Sequence, residues 1–219
     1  MDRVRRLAPA VGLAAAALAT APAGAFNGPV VKKGDLDGDG QNETVRSVRV
    51  DLPGVNDMFD QTKVRVQDDC DGGVVKRNVA GPQDNLEALR LKRVDTRKGR
   101  EIFTSLRSGA AGRQGEARVV AWRPLKDSDC GKPRRLFRYR SIHPTKAPSG
   151  STGEVSSFNV ALKNRTNRYR GVEVRLSEGF LKSGEPECCP TIKKVTLYRY
   201  SRKRDRYVRY ATKVTRTHA

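Results

Sequence analysis

From about residue 26 onward the chain is built of short runs in which Val, Ile, Thr, Tyr or Phe takes every second position. Clusters of Gly, Asp, Asn and Ser separate these runs. Alternation of this kind puts one side of each run against a core and the other in water, which is the pattern of a strand. Apolar residues at helical spacing are nearly absent. The pattern predicts an all-β protein with strands over 30–33, 43–50, 63–67, 74–79, 89–94, 101–106, 117–122, 135–141, 157–162, 171–176, 194–200 and 207–214. A single helical turn is predicted over 82–88.

The strands group into three weakly similar units of four, each a strand, a turn, a strand and then a hairpin. In the first, Val31 to Val50 encloses an acidic turn. In the second, Leu91 to Asp95 precedes the turn Arg97-Lys98-Gly99. In the third, a turn from Asn164 to Arg170 leads into Val172-Glu173-Val174, and the unit ends in a Tyr- and Arg-rich hairpin. Three antiparallel four-stranded units predict a partial propeller-like stack or a sandwich, since closed propellers have four to eight blades. The stretch 146–154, which has Pro, Gly and Ser but no apolar alternation, reads as a loop or linker. The expected organisation is therefore a leader over 1–25, two units over 26–145, the linker, and a basic unit over 155–219 packed on the first two.

The leader is one place where the pattern differs. Arg3, Arg5 and Arg6 precede an apolar run from Leu7 to Ala21, and Ala23-Gly24-Ala25 supplies the small residues of a cleavage site, so an export signal is expected. No second apolar run is long enough for a membrane span. A secreted or extracytoplasmic protein meets an oxidising medium, which makes Cys70, Cys130, Cys188 and Cys189 disulfide candidates. Four cysteines allow three pairings, and the sequence leaves all of them open.

Charge changes the picture of the last third. The chain carries 44 Lys and Arg against 24 Asp and Glu, a net +20, and the stretch 131–219 holds 22 basic residues against 6 acidic ones. That half sets up a positive field able to attract polyanions. Its final hairpin interleaves Tyr198, Tyr200, Tyr207 and Tyr210 with Arg199, Arg202, Lys203, Arg204, Arg206 and Arg209. Basic groups would meet phosphates there, and exposed rings could stack on bases or sugars.

The acidic turn carries different chemistry. A hard cation such as calcium takes six to eight oxygen ligands, so a loop that holds it must present carboxylates on alternate residues while turning sharply. In Asp35-Leu36-Asp37-Gly38-Asp39-Gly40-Gln41-Asn42-Glu43, the side chains of Asp35, Asp37 and Asp39, the carbonyl of Gln41 and the carboxylate of Glu43 fit that requirement. A twelve-residue EF-hand would need an acid where Arg46 stands. The loop, with strands on both sides, resembles the calcium loop of FG-GAP and VCBS-type repeats, which occur in integrin-like propellers and many exported bacterial proteins. The resemblance implies those five ligands, with Glu43 where the family more often has Asp. It does not extend to the other two units, where Arg97, Lys98 and Arg100, or Arg165 and Arg168, occupy the corresponding turns. Glu187-Cys188-Cys189-Pro190 is similar to a CCP element of small exported actinobacterial lipoproteins, and implies no activity.

Catalysis is not expected. The chain has two histidines, His143 and His218, and neither belongs to a nucleophile, metalloprotease or phosphate-loop motif. The expected function is an exported, calcium-binding, β-structural or interaction protein. The alternative is a cationic protein that binds an anionic cell-surface polymer or nucleic acid through its basic half.

Overall fold

The computed structural model describes residues 29–50, 61–70, 73–83, 85–94, 98–108, 114–126, 128–142, 144–164, 171–186 and 190–217. Residues 1–25, expected to form a leader, and His143, His218, Cys188, Cys189, Arg165 and Arg168 lie outside these. Twelve strands run in chain order: β1 (Val31–Gly34), β2 (Glu43–Val50), β3 (Gln61–Cys70), β4 (Gly73–Gln83), β5 (Asn85–Lys92), β6 (Glu101–Ser108), β7 (Gln114–Leu125), β8 (Ser128–Arg140), β9 (Val155–Asn164), β10 (Val172–Phe180), β11 (Ile192–Ser201) and β12 (Arg206–Arg216). They form three four-stranded antiparallel meanders, β1 to β4, β5 to β8 and β9 to β12, which do not close into a barrel. No helix among the described residues is long and apolar enough to cross a membrane.

The three sheets stack face to face, and the order of the layers follows from which side chains are apolar. In the first sheet Val45, Val64 and Val66 point inward while Arg46, Arg65 and Gln67 face out. In the third, Val172, Val174 and Leu176 do the same. The middle sheet is covered on both faces along β6 and β7, while its outer strands β5 and β8 keep exposed residues. Glu101 through Leu106 are all buried along β6, and β7 buries Ala117, Val119, Val120, Ala121 and Trp122. One face of it packs Ile102, Leu106, Val120 and Trp122 against Val45, Val64 and Val66. The opposite face packs Phe103, Val119, Phe137 and Tyr139 against Phe158, Val174, Leu176 and Tyr207. A strand covered on both sides has no need of alternation, which is why Val119-Val120-Ala121-Trp122 on β7 reads as an unbroken apolar run. The charged outer faces of the first and third sheets end the stack at three layers, as polar caps end other repeat arrays.

The first joint carries more than apolar contact. Asp68, buried on β3, accepts hydrogen bonds from Trp122 Nε1 at 2.8 Å and from the Gly131 N–H at 2.7 Å. Two residues further on, Cys70 is disulfide-bonded to Cys130, with Cα atoms 5.2 Å apart. Of the three pairings open in the sequence, one bond is thereby fixed. Gly131 has no freedom to change, because a Cβ there would stand 1.9 Å from Trp122 Nε1.

One expectation changes and another is sharpened. The helical turn over 82–88 is absent: β4 runs to Gln83 and β5 starts at Asn85. Gly81, at φ 94°, lies where β4 shifts register against β3, and a Cβ at that position would lie 2.5 Å from the Thr62 carbonyl oxygen. Glycine thus allows a bulge, and the chain crosses directly from one sheet to the next. The 146–154 linker, in turn, is a strap fastened to the third sheet. Thr152 N–H donates to the Leu181 carbonyl at 2.9 Å, and Lys194 Nζ, from β11, donates to Thr145 Oγ1 at 2.5 Å and to the Lys146 carbonyl. Fully buried Glu178 accepts from Tyr139 Oη at 3.0 Å and from the Thr145 N–H at 3.2 Å. Burial of Lys194 pulls its pKa down while the Glu178 charge opposes the shift, and the two residues meet at Thr145, which each of them hydrogen-bonds.

Candidate metal centre

Gly34 and Glu43 are opposed across β1 and β2, so residues 35–42 form a closed turn at the end of the first sheet. Within it each aspartate turns back on the chain. Asp35 Oδ1 accepts from the Gly38 N–H at 2.6 Å, Asp37 Oδ1 from Asp39 at 3.2 Å, and Asp39 Oδ1 from Gln41 at 2.7 Å. Short acidic side chains that bond their own backbone two or three residues on favour such turns. Gly38 and Gly40 take φ of 92° and 98°, which a side chain would resist. Leu36 is the only apolar residue of the turn and is 1% exposed in the first core, so it pins the loop to the protein. As a result, carboxylate oxygens of Asp35, Asp37 and Asp39 lie within 4.8 Å of one another.

Glu43 does something the spacing alone did not suggest. It is buried at the start of β2, and its Oε2 accepts the Leu36 N–H at 2.5 Å, bracing the loop from below. The second unit repeats the brace with Glu101 Oε2 on the Val94 N–H at 2.8 Å, over the same seven-residue separation. The repeat is therefore real at the level of the loop support even where the aspartates are missing. Gln41 follows the aspartate trio on the exposed side of the turn.

The second unit's turn holds the first one in place. Arg100 N–H donates to the Asp35 carbonyl at 2.9 Å, and a Cβ on Gly99, itself at φ 92°, would stand 2.4 Å from the Leu36 carbonyl oxygen. Arg93 and Arg100 share with Asp35 a small cleft of about 290 Å³. Gly99→Ala will therefore strain its own backbone and displace the acidic loop. A loss of about 1–3 kcal/mol in stability is expected, together with weaker calcium binding, from thermal unfolding and a calcium titration of the same sample.

Electrostatics concentrate negative charge here. Burial pushes the Glu43 carboxyl up to about 7, aided by the charges of Asp37, Asp68 and Asp39. Asp37 is raised as well, first by burial and then by Asp39 and Asp68. Because the folded pKa of Glu43 lies above its unfolded value of 4.5, the metal-free fold is favoured at low pH and loses that contribution as pH rises through about 7. A cation must displace the proton. The rise in melting temperature on adding calcium is thus expected to be larger at pH 8 than at pH 5.5, and equal shifts would contradict the coupling.

Asp68 and Gly99 are the two contributors that motif reading missed. For Asp68 a signal existed: in Val64-Val66-Asp68 it occupies the phase of the core face, where a carboxylate needs partners. Gly99 was visible only as a turn glycine.

The basic hairpin presents a different surface from the one expected. Arg199, Arg202, Lys203, Arg204, Arg206 and Arg209 are all exposed, as their pattern predicts. The rings, however, are used internally. Tyr207 is buried and donates to the Val172 carbonyl at 3.1 Å, and Tyr198 and Phe137 meet edge to face at 5.1 Å. Tyr200 meets Tyr207 at 6.0 Å, and Tyr210 donates to Glu173 while lying 5.7 Å beneath Arg199. Tyr198, Tyr200 and Tyr207 pack inward and Tyr210 is held on the outer face by Glu173 and Arg199, so the hairpin offers charge rather than a stacking platform. In comparison with known proteins, the chain matches no family model, no curated protein and no solved structure.

Proposed function

We propose that this chain is an exported β-structural module that binds one calcium ion in the Asp35–Glu43 turn and acts by binding another macromolecule, without catalysing a reaction. The observation that carries the reading is the convergence of the Asp35, Asp37 and Asp39 carboxylates within 4.8 Å on a loop braced by Glu43 and abutting the second sheet's turn. Oxygen donors alone, in a pre-turned loop, suit a hard divalent cation. Asp35, Asp37 and Asp39 would each give a carboxylate oxygen, Gln41 its carbonyl, and Glu43 the oxygen not engaged by Leu36. The ion would neutralise charge that Asp68, Asp37 and Glu43 otherwise hold against one another, and so clamp the joint between the first two sheets.

The Cys70–Cys130 bond supports an oxidising, extracytoplasmic location. Calorimetric titration of chelator-treated protein is expected to show one calcium per chain, with a Kd at or below roughly 10⁻³ M, the weak end for extracellular modules. The absence of saturable heat at several times that concentration would overturn the proposal.

A further inference from the structure

The middle and third sheets meet along a crease whose chemistry differs from that of either core. A cleft of about 780 Å³ opens there between β8 and the β11–β12 hairpin. Its walls carry five guanidinium groups, Arg134, Arg135 and Arg138 from β8 and Arg204 and Arg206 from the hairpin, against one carboxylate, Asp205. Neither strand alone makes this site. It exists because β8 of the central unit is brought beside the basic β11–β12 hairpin.

The charges are unbalanced. Asp205 is shared between Arg134 Nε at 3.4 Å and Arg123 Nη2 at 3.7 Å, and it also accepts the Tyr200 hydroxyl. Arg138 is paired with Glu116 at 3.1 Å. Arg135, Arg204 and Arg206 are exposed and have no carboxylate partner among the described residues. Asp205 itself sits at φ 45°, a conformation uncommon outside glycine, and it fixes the tip from which Arg204 and Arg206 project. Guanidinium forks match phosphate oxygens bidentately and bind them more strongly than neutral donors do.

We propose that this cleft binds a linear polyol- or sugar-phosphate polymer through its phosphodiester groups. Size and shape suit a segment of an extended chain lying in an open groove. The aromatic floor argues against a nucleic acid, because Phe137, Tyr198 and Tyr207 spend their faces and edges on one another and the Tyr207 hydroxyl on Val172, leaving bases nothing to stack on. Recognition is by charge spacing along the polymer. The inference is independent of the proposed calcium loop, whose Leu36 packs on the opposite face of the central sheet.

The test uses the intact protein and a fluorescently labelled poly(glycerol phosphate) oligomer, read by anisotropy over a range of salt. Arg135→Gln, Arg204→Gln and Arg206→Gln combined should weaken binding at least tenfold and reduce the slope of log affinity against log salt by roughly 2, the value for three lost phosphate contacts on a flexible strand. Lys32→Gln, Lys76→Gln and Arg77→Gln combined remove the same charge from exposed positions of the first sheet and should lose less than the cleft variant. Equal or greater loss in that remote variant would overturn the proposal, because net charge alone would then explain binding. An oligothymidylate of equal phosphate number provides the second arm. If it binds more tightly than the glycerol phosphate oligomer, the cleft reads nucleic acid and the proposal fails.

Discussion

Replacing Cys70 and Cys130 together by alanine will lower the free energy of unfolding by about 4 kcal/mol, the entropic cost of releasing a loop of this length in the unfolded chain. The separation of 60 residues sets that scale. It spans the loop from β3 to β8, and so includes the crossing from the first sheet to the second. The loss should fall on one joint. Trp122, the only tryptophan of the chain, is fully buried in it and bonded to Asp68. Its fluorescence therefore reports the place where the cross-link acts. In a denaturant titration the double variant should show a lower midpoint with the slope nearly unchanged. A change below about 1 kcal/mol would mean that the apolar core and the Asp68 bonds hold the joint without help from the cross-link.

The second large effect concerns the acidic loop. Asp37→Asn with Asp39→Asn keeps a side-chain oxygen on the backbone N–H groups of Asp39 and Gln41, so the turn retains its form. It removes two of the three convergent charges. At the proposed site calcium would stabilise the parent by RT ln(1 + [Ca]/Kd), about 2.7 kcal/mol at a hundredfold excess over Kd. For a chain of this size that corresponds to roughly 5–10 °C in melting temperature. The variant should lose nearly all of this response. Without calcium its stability at pH 8 should equal or exceed that of the parent, because relief of repulsion with Glu43 and Asp68 offsets small losses in the turn. Loss of stability in both conditions would instead mark the aspartates as structural turn formers.

Much of this architecture is legible in the chain because period-two alternation maps directly onto one-sided burial. All twelve strands, and their grouping in fours, follow from it. Alternation fails to order the layers by inspection, although the clue is present: Ile102 to Leu106 and Val119 to Trp122 are unbroken by the exposed polar residues that punctuate the outer sheets. Strand ends are less readable, since β3, β7 and β8 continue through Asp, Arg and Pro residues that pair across hairpins, away from any core. The turn expected over 82–88 was overridden by Gly81, whose left-handed backbone serves a bulge. At the site, Asp35, Asp37 and Asp39 converge because their spacing writes the turn locally. Asp68 comes from β3, set beside Glu43 by the pairing of β2 with β3, and Gly99 from the second unit's turn, which the stacking of the sheets brings near. The same holds for the arginine cleft, half of which lies some seventy residues from the other half in sequence.

A calcium ion clamping the first two sheets is the central element of the proposed function. Thermal unfolding of the protein at pH 8, with millimolar calcium and with excess chelator, tests that most directly. The melting temperature is expected to rise by several degrees in calcium and to return to the metal-free value on chelation. Identical melting curves in the two conditions would contradict it.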